Sequence, residues 1–218
     1  MLEINNYNSD ILHDISFSLK ENESLIILGE NGAGKSTLAK VLSNLITNDK
    51  VKLFDERIDK LSDLKRAQLI NYIPPKLSIF DEYVTLKEFL ELSTITNVDN
   101  EKIDNLIKLL KLEKLKHRYC KDFSSGEKQL LLLASSIMHD AKITIFDELT
   151  ANLDISRLKE VFDIFNSDLL KQKIIITHNL DLAYALKFKV LFIKDGKIEF
   201  FGQHDEFFSN EKLKKFYN

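Results

Sequence analysis

The chain has 218 residues, of which 44% are hydrophobic and 30% are charged. This length supports one good-sized hydrophobic core with at most a smaller attached lobe, and the 6 glycines and 2 prolines leave little material for flexible linkers. The formal net charge of −3 excludes the basic excess with which proteins bind duplex phosphates, so we expect no nucleic-acid partner.

The N-terminal part of the chain alternates short apolar runs with a stretch of helical period. Residues 11–19 and 24–28 are predicted strands, and the second leads into a glycine-rich turn that begins at Gly29. The apolar residues after the turn keep helical spacing and predict a helix that starts near Ser36. They are Leu38, Val41, Leu42 and Leu45. A strand, a glycine turn and a helix in this order are the setting that a phosphate-binding loop requires.

The middle of the chain has a mostly helical pattern. Thr85 and Glu88 match a capping box at a helix start, and the apolar residues that follow recur at helical spacing. We therefore predict a single domain in which a helical lobe, about residues 81–139, is inserted into a core made of residues 1–80 and 140–218.

Strand patterns return after the predicted lobe. Residues 143–146 and 174–177 are predicted strands, and two further apolar runs flank Lys194-Asp195-Gly196-Lys197, which predicts a hairpin. Residues 204–218 are expected to form short helices. Their expected packing residues are Phe207, Phe208, Leu213 and Phe216.

A phosphate-loop pattern, G-x-x-x-x-G-K-[ST], is matched in full. Its members are Gly29, Glu30, Asn31, Gly32, Ala33, Gly34, Lys35 and Ser36. Backbone amides beside small residues can surround phosphates, the following helix adds its dipole, Lys35 neutralises charge, and the Ser36 hydroxyl can ligate magnesium. A chance match occurs in roughly one chain in a hundred of this length. The pattern predicts a nucleotide phosphate without distinguishing kinases, GTPases and motors.

Two carboxylates, Asp147 and Glu148, follow the predicted strand 143–146, at the end where ligands bind in open parallel sheets. Asp147 would hold magnesium directly or through water, and Glu148 would accept a proton from the attacking water or orient it. Alone, such a pair is more often a solvated turn, and the phosphate loop upstream reverses that preference. The absence of an Asn-Lys-x-Asp segment argues against a GTPase.

Two further motifs fit phosphate chemistry and also have plain structural explanations. His178 closes the strand 174–177 and could hydrogen-bond a γ-phosphate, although a histidine at a strand end is more often structural. Ser124 and Glu127 match a capping box, which explains both residues without a ligand. A capped helix end still directs amides outward, so a phosphate could bind there as well.

With these motifs in order, the chain resembles the nucleotide-binding domains of ABC transporters across almost its whole length. Residues 29–37, which end in Thr37, resemble the family's Walker A, and residues 143–148 resemble its Walker B with the catalytic glutamate. Residues 123–127, FSSGE, resemble the LSGGQ signature, which separates this family from other phosphate-loop enzymes.

Other segments extend the resemblance. Ala151-Asn152-Leu153-Asp154 resembles the D-loop, so Asp154 is an expected nucleotide-site residue. His178 resembles the switch histidine, and Tyr7 matches the aromatic residue that stacks on adenine. The implied fold is α/β: a phosphate-loop NTPase core with a mostly parallel sheet flanked by helices, an antiparallel β portion and a helical lobe.

The resemblance also implies how such a protein works. ATP and Mg²⁺ bound to one copy are completed by signature residues of a second copy, in a homodimer or in a heterodimer with a related ATPase. The signature residues are Ser124, Ser125, Gly126 and Glu127. A membrane permease docks on the helical lobe, and an importer also uses a solute-binding protein. We expect a cytoplasmic protein, peripheral on the membrane, since no apolar run approaches the roughly 18 residues of a spanning helix.

Three residues depart from the family pattern. Pro75 stands where the Q-loop glutamine is expected and has no amide to reach magnesium or the lytic water. Ser125 replaces the first signature glycine and adds a Cβ where backbone should approach phosphate. Leu149 replaces the proline after the catalytic glutamate. We expect slow basal hydrolysis, and coupling to the permease is in question.

The cargo and two alternative functions stay open. Residues 153–155, 179–183 and 194–198, together with Gly202, resemble importers of iron-siderophore, haem and cobalamin type, although an ATPase subunit does not touch the cargo. One alternative is a soluble ABC ATPase that acts on ribosomes or DNA, but two cassettes or long coiled coils do not fit 218 residues. The other is an ATP-dependent switch with little turnover, which Pro75 and Ser125 favour.

Overall fold

The protein is described by a computed structural model that covers residues 1–78, 82–95, 97–151 and 153–209. The strands are β1 Leu2–Tyr7, β2 Ile15–Leu19, β3 Leu25–Leu28, β4 Val51–Leu53, β5 Glu56–Arg57, β6 Ile70–Ile73, β7 Ile143–Asp147, β8 Gln172–Ile176, β9 Lys189–Lys194 and β10 Lys197–Gly202. The α-helices are α1 Lys35–Leu42, α2 Asp63–Leu69, α3 Leu86–Leu92, α4 Asn100–Leu109, α5 Ser125–His139, α6 Ile155–Phe165, α7 Leu180–Leu186 and α8 His204–Phe207.

A six-stranded sheet forms the centre of the fold. Its order is β10-β9-β3-β8-β7-β6, and only the β9–β10 hairpin is antiparallel. Every residue of β3, β7 and β8 is buried, as expected for parallel strands that are covered on both faces. The predicted α/β class and the predicted hairpin at residues 194–197 are therefore confirmed.

Each face of the central sheet has its own hydrophobic core, because side chains alternate along a strand. Ile26 and Leu28 of β3 belong to the core under α3, α5, α6 and α7. Leu25 and Ile27 belong to the core shared with α1 and a second sheet. The carboxyl ends of the parallel strands, where the predicted carboxylates lie, are thus held between two packed layers.

The second sheet is antiparallel, in the order β2-β1-β4-β5, and β1 contains an irregularity. The register against β2 shifts between Ile4 and Tyr7, and Asn6 adopts the left-handed conformation with φ 47°. Two successive residues, Asn5 and Asn6, consequently face solvent, and Tyr7 turns inward with only 8% of its surface exposed. A regular strand would direct Tyr7 to the opposite face from Ile4.

The prediction of a strand over residues 11–19 is wrong at its start, because β2 begins at Ile15. Residues 9–12 form a tight turn instead: the Ser9 amide donates to the Leu12 carbonyl at 2.8 Å, and the Leu12 amide donates to Ser9 Oγ at 3.1 Å. Leu12 is buried in this turn and Ile11 is 50% exposed.

The helices α3 and α5 start as predicted. Thr85 and Glu88 form a complete capping box before α3, and Ser124 and Glu127 form another before α5. The division of the chain into a core and a helical lobe stays a prediction. Among the described residues, no helix has both the length and the apolar composition to cross a membrane.

The C-terminal prediction is confirmed where it can be compared. The short helix α8 begins at His204, and Phe207 is fully buried against Phe192 and Phe200. Leu213 and Phe216 lie outside the described residues.

The packing of α3 on the core gives a matched test. Leu90→Ala should lower the free energy of unfolding by about 2–5 kcal/mol, because Leu90 is fully buried and its loss leaves a cavity. Leu92→Ala, in the same helix but with Leu92 77% exposed, should change it by less than about 0.5 kcal/mol. Urea unfolding of the two variants measures the difference, and equal effects would contradict this packing.

Candidate functional site

The phosphate loop joins β3 to α1 with a backbone that side chains would obstruct. Gly34 precedes α1 in the left-handed conformation with φ 103°, and no side chain caps this helix end. The amides of the first turn are therefore not occupied by a capping group, and α1 has no acidic residue there to repel an anion. This helix end is suited to bind a phosphate.

Lys35 is held across the loop by backbone contacts. Its Nζ donates to the carbonyl oxygens of Gly29 and Glu30, both at 2.8 Å, and the residue is only 5% exposed. Burial lowers the pKa of Lys35 below its ordinary value, while the nearby carboxylates of Glu148 and Asp147 oppose that shift. The ammonium group is thus fixed beside the two predicted acids before any ligand binds.

Asp147, at the end of β7, is the most enclosed acid of the site. It is 1% exposed, and both carboxylate oxygens accept hydrogen bonds: Oδ1 from Ser36 Oγ at 3.0 Å and Oδ2 from the Tyr72 hydroxyl at 2.8 Å. Burial, and then Asp147 itself, raise the pKa of Tyr72, so the phenol stays protonated and donates. The structure therefore brings Ser36 and Asp147 together, as a shared role toward a cation requires.

Tyr72 contacts a predicted site residue, Asp147, and was not predicted from the sequence. It lies on β6, where it pairs with Ile145 of the neighbouring parallel strand, two residues before Asp147. No motif marks such a tyrosine, and the only available signal was its position in a strand beside the predicted acidic strand.

Glu148 has an unusual backbone conformation that directs it into the site. Its φ is 51°, which is uncommon for a residue with a Cβ, and its amide donates to the Ile176 carbonyl at 3.0 Å. His178 Nδ1 lies 3.6 Å from Glu148 Oε1, which is close but beyond hydrogen-bond distance. The ends of β7 and β8 thus bring the predicted base and the predicted histidine together.

Lys35, Ser36, Asp147 and Glu148 line one cavity of about 380 Å³, and Tyr72 and His178 are not among its lining residues. Its lining residues are Ile11, Asn31, Gly32, Gly34, Lys35, Ser36, Thr37, Pro75, Asp147 and Glu148. The cavity combines helix amides and an ammonium group for phosphate with oxygen ligands for a cation and a carboxylate that can accept a proton. Ile11, which supplies apolar surface at this polar site, was not predicted as a site residue.

Other predicted site residues lie outside this cavity. Ser124 and Ser125 are exposed at the start of α5, with Gly126 and Glu127 in its first turn. Asp154 caps α6 by accepting a hydrogen bond from the Arg157 amide at 2.9 Å. Tyr7 is packed in the core with Leu2 and Ile4.

A side-chain contact connects α5 to the loop that carries Pro75. Gln129 is 3% exposed, and its Nε2 donates to the Pro75 carbonyl at 2.9 Å. Its Oε1 is buried without a hydrogen-bond partner among the described residues. This hydrogen bond connects the loop after β6 to the helix that starts at Ser125.

Comparisons with known proteins agree with this geometry. The ABC transporter family model matches residues 12–151. The ABC transporter ATP-binding protein MJ0089 of Methanocaldococcus jannaschii is 31% identical, over 86% of this chain and 78% of that protein. The phosphonates import ATP-binding protein PhnC of Fusobacterium nucleatum is 28% identical, over 98% of this chain and 95% of that protein.

A solved structure has the same fold. The dimeric post-hydrolysis state of the ATP-binding cassette MJ0796, bound to ADP and Pi, matches with a TM-score of 0.80 at 20% identity, over 94% of this chain and 99% of that chain. The family model and the M. jannaschii relative, together with the cavity, lead to one conclusion: the chain belongs to the ABC transporter family as an ATP-binding subunit that hydrolyses ATP.

Proposed function

We propose that this chain powers transport through a separate membrane permease, by hydrolysing ATP with Mg²⁺ on the cytoplasmic face of the membrane. The observation that carries the proposal is the cavity in which Lys35, Ser36, Asp147 and Glu148 converge. Lys35 and the first-turn amides of α1 would bind phosphates, and Glu148 would take the proton of the attacking water.

The Mg²⁺ assignment is supported by the donor set. Ser36 Oγ and a buried carboxylate, Asp147, are hard oxygen ligands of the kind that Mg²⁺ prefers. When bound, Mg²⁺ would neutralise charge on the phosphates. Tyr72, which fixes the other oxygen of Asp147, would orient this ligand.

An ATP-dependent dimer is supported by the absence of the signature residues from the lining of this cavity. Ser124, Ser125, Gly126 and Glu127 do not line the cavity of their own chain, although they lie at an exposed helix start. The MJ0796 structure, bound to ADP and Pi, is dimeric. We propose that these four residues and Asp154 complete the nucleotide site of a second copy or of a related ATPase. Tyr7 would lie on the adenine side of the site only because it precedes the loop that reaches the cavity.

The cargo is proposed from sequence resemblance alone. The tail after His178 favours an iron chelate or a related metal complex, delivered by a solute-binding protein. PhnC, whose name states phosphonates import, is related over nearly its whole length, so similar ATPase subunits serve chemically different cargoes. The cargo must therefore be identified through the permease.

The test of the transporter role uses tagged Glu148→Gln protein, recovered from native membranes with ATP and Mg²⁺ and analysed by mass spectrometry. Enrichment of a polytopic permease, with a solute-binding protein, is the expected result and indicates the cargo. Enrichment of ribosomal or DNA-repair proteins without a membrane protein would overturn the transporter role and leave the ATP chemistry intact. Lys35→Ala protein is the control for capture that does not depend on nucleotide.

The role of Glu148 predicts a specific kinetic effect. Glu148→Gln should lower kcat by at least about a hundredfold, because a positioned base contributes roughly that factor, while ATP binding is retained. Steady-state phosphate release and nucleotide titration measure the two quantities. Glu199→Gln, on the exposed side of β10, is the matched control and should change neither. Retained turnover in Glu148→Gln would favour another base.

The role of Tyr72 predicts an effect on the metal. Tyr72→Phe should raise the Mg²⁺ concentration for half-maximal ATPase activity about tenfold, because groups that orient metal ligands have effects of that order. Tyr184→Phe removes a hydroxyl from an exposed position on α7 and serves as control. An unchanged Mg²⁺ requirement in Tyr72→Phe would show that its hydrogen bond does not orient Asp147.

Slow basal hydrolysis is expected because Pro75 lines the cavity without a side-chain amide. Pro75→Gln should raise kcat about fivefold, the scale of one well-placed hydrogen bond. Pro75→Leu also removes the ring but supplies no side-chain amide, so it should not raise kcat. Equal rates in both variants, whether raised or unchanged, would contradict a missing amide as the cause.

A further inference from the structure

We propose that Ile11, and not an aromatic side chain, forms the surface against which the nucleotide base packs. The proposal rests on the assignment of the phosphate-loop cavity as the ATP site. Ile11 supplies an apolar side chain to that cavity and remains 50% exposed, so part of its surface is free to contact a ligand.

Tyr7 is the residue that an aromatic stacking model would use. The bulge at Asn5 and Asn6 turns its side chain into the core, where it lies opposite Ile15. With 8% of its surface exposed and no place in the cavity lining, its ring face is already covered by the protein. Asn6 stabilises the bulge, because its amide donates to Ser16 Oγ at 2.8 Å and asparagine tolerates the left-handed conformation.

Ile11 is held in place by the hydrogen-bonded turn at residues 9–12. The Ile11 and Leu12 amides both donate to Ser9 Oγ, at 3.3 and 3.1 Å, so the turn is closed by its own side chain. Leu12 is fully buried beneath it and anchors the turn to the core. Ile11 is therefore presented by a turn that is tied at both ends.

This turn lies against the phosphate loop. A Cβ on Gly34 would lie 2.7 Å from Leu12 Cδ2 and 3.4 Å from Ile11 Cγ2, so both side chains lie beside the loop at Gly34. The hairpin turn at Gly196 bridges the same segments: the His13 amide donates to its carbonyl at 2.8 Å, and its own amide donates to the Ala33 carbonyl at 3.2 Å. The phosphate loop and the segment after Ile11 are thus held by the same hairpin turn.

A base that extends from phosphates held at Lys35 meets this apolar wall at the edge of an otherwise polar cavity. Contact with an aliphatic side chain removes apolar surface from water but lacks the geometric preference of ring stacking. The base contributes a modest part of the affinity, and the phosphates contribute most of it.

The test compares Kd values for ATP and for inorganic tripolyphosphate, a probe that has no base, by calorimetry on the full chain. Ile11→Ala should weaken ATP about fivefold, because three carbons of contact are lost, and leave tripolyphosphate unchanged. Tyr7→Leu should change neither Kd by more than about twofold, with the melting temperature used to correct for its folded fraction. Leu92→Ala, which loses three carbons from an exposed site, is the control.

Two outcomes would overturn the inference. One is an unchanged ATP affinity in Ile11→Ala, and the other is a loss of ATP affinity in Tyr7→Leu that tripolyphosphate does not share. Either would leave the ATPase assignment standing, because tripolyphosphate would still bind. Failure of the parent protein to bind both probes would instead contradict the assignment of this cavity and the inference with it.

Discussion

The site depends on one close approach of backbone, at Gly196. Its carbonyl and amide bind His13 on one side and Ala33 on the other, and a side chain at this position would collide with the Ile11 carbonyl. Through this turn, the antiparallel sheet, the phosphate loop and the edge hairpin of the central sheet are fixed relative to one another. The carboxyl ends of the parallel strands meet at one edge of the sheet. Asp147, at the end of β7, and Glu148, after it, therefore lie beside the phosphate loop.

The parts of the site that are local in sequence were predictable. Two short motifs each adjoin a strand of known direction: Gly29 to Ser36, and the pair Asp147 and Glu148. The fold brings these motifs together as expected. Tyr72 was not predictable, because its hydroxyl acts across two strands that only the sheet makes neighbours.

The structure departs from the sequence pattern where local chemistry competes with periodicity. Ile11 and Leu12 continue an apolar pattern, and the backbone and side chain of Ser9 convert that stretch into a turn. The inward position of Tyr7 results from one extra residue in β1, a register change that alternation alone does not reveal. Both departures lie in the same corner of the molecule, and under our proposal they decide which side chain faces the nucleotide base.

The contacts of Lys35 have a consequence for the balance between folding and binding. Its side chain is already immobilised by two carbonyls, and its charge is already removed from much of the solvent. The rotamer entropy of a lysine, about 2 kcal/mol, is therefore lost when the chain folds and not when ATP arrives. Folding therefore bears a conformational cost that ATP binding does not have to meet, which favours tighter association of the nucleotide.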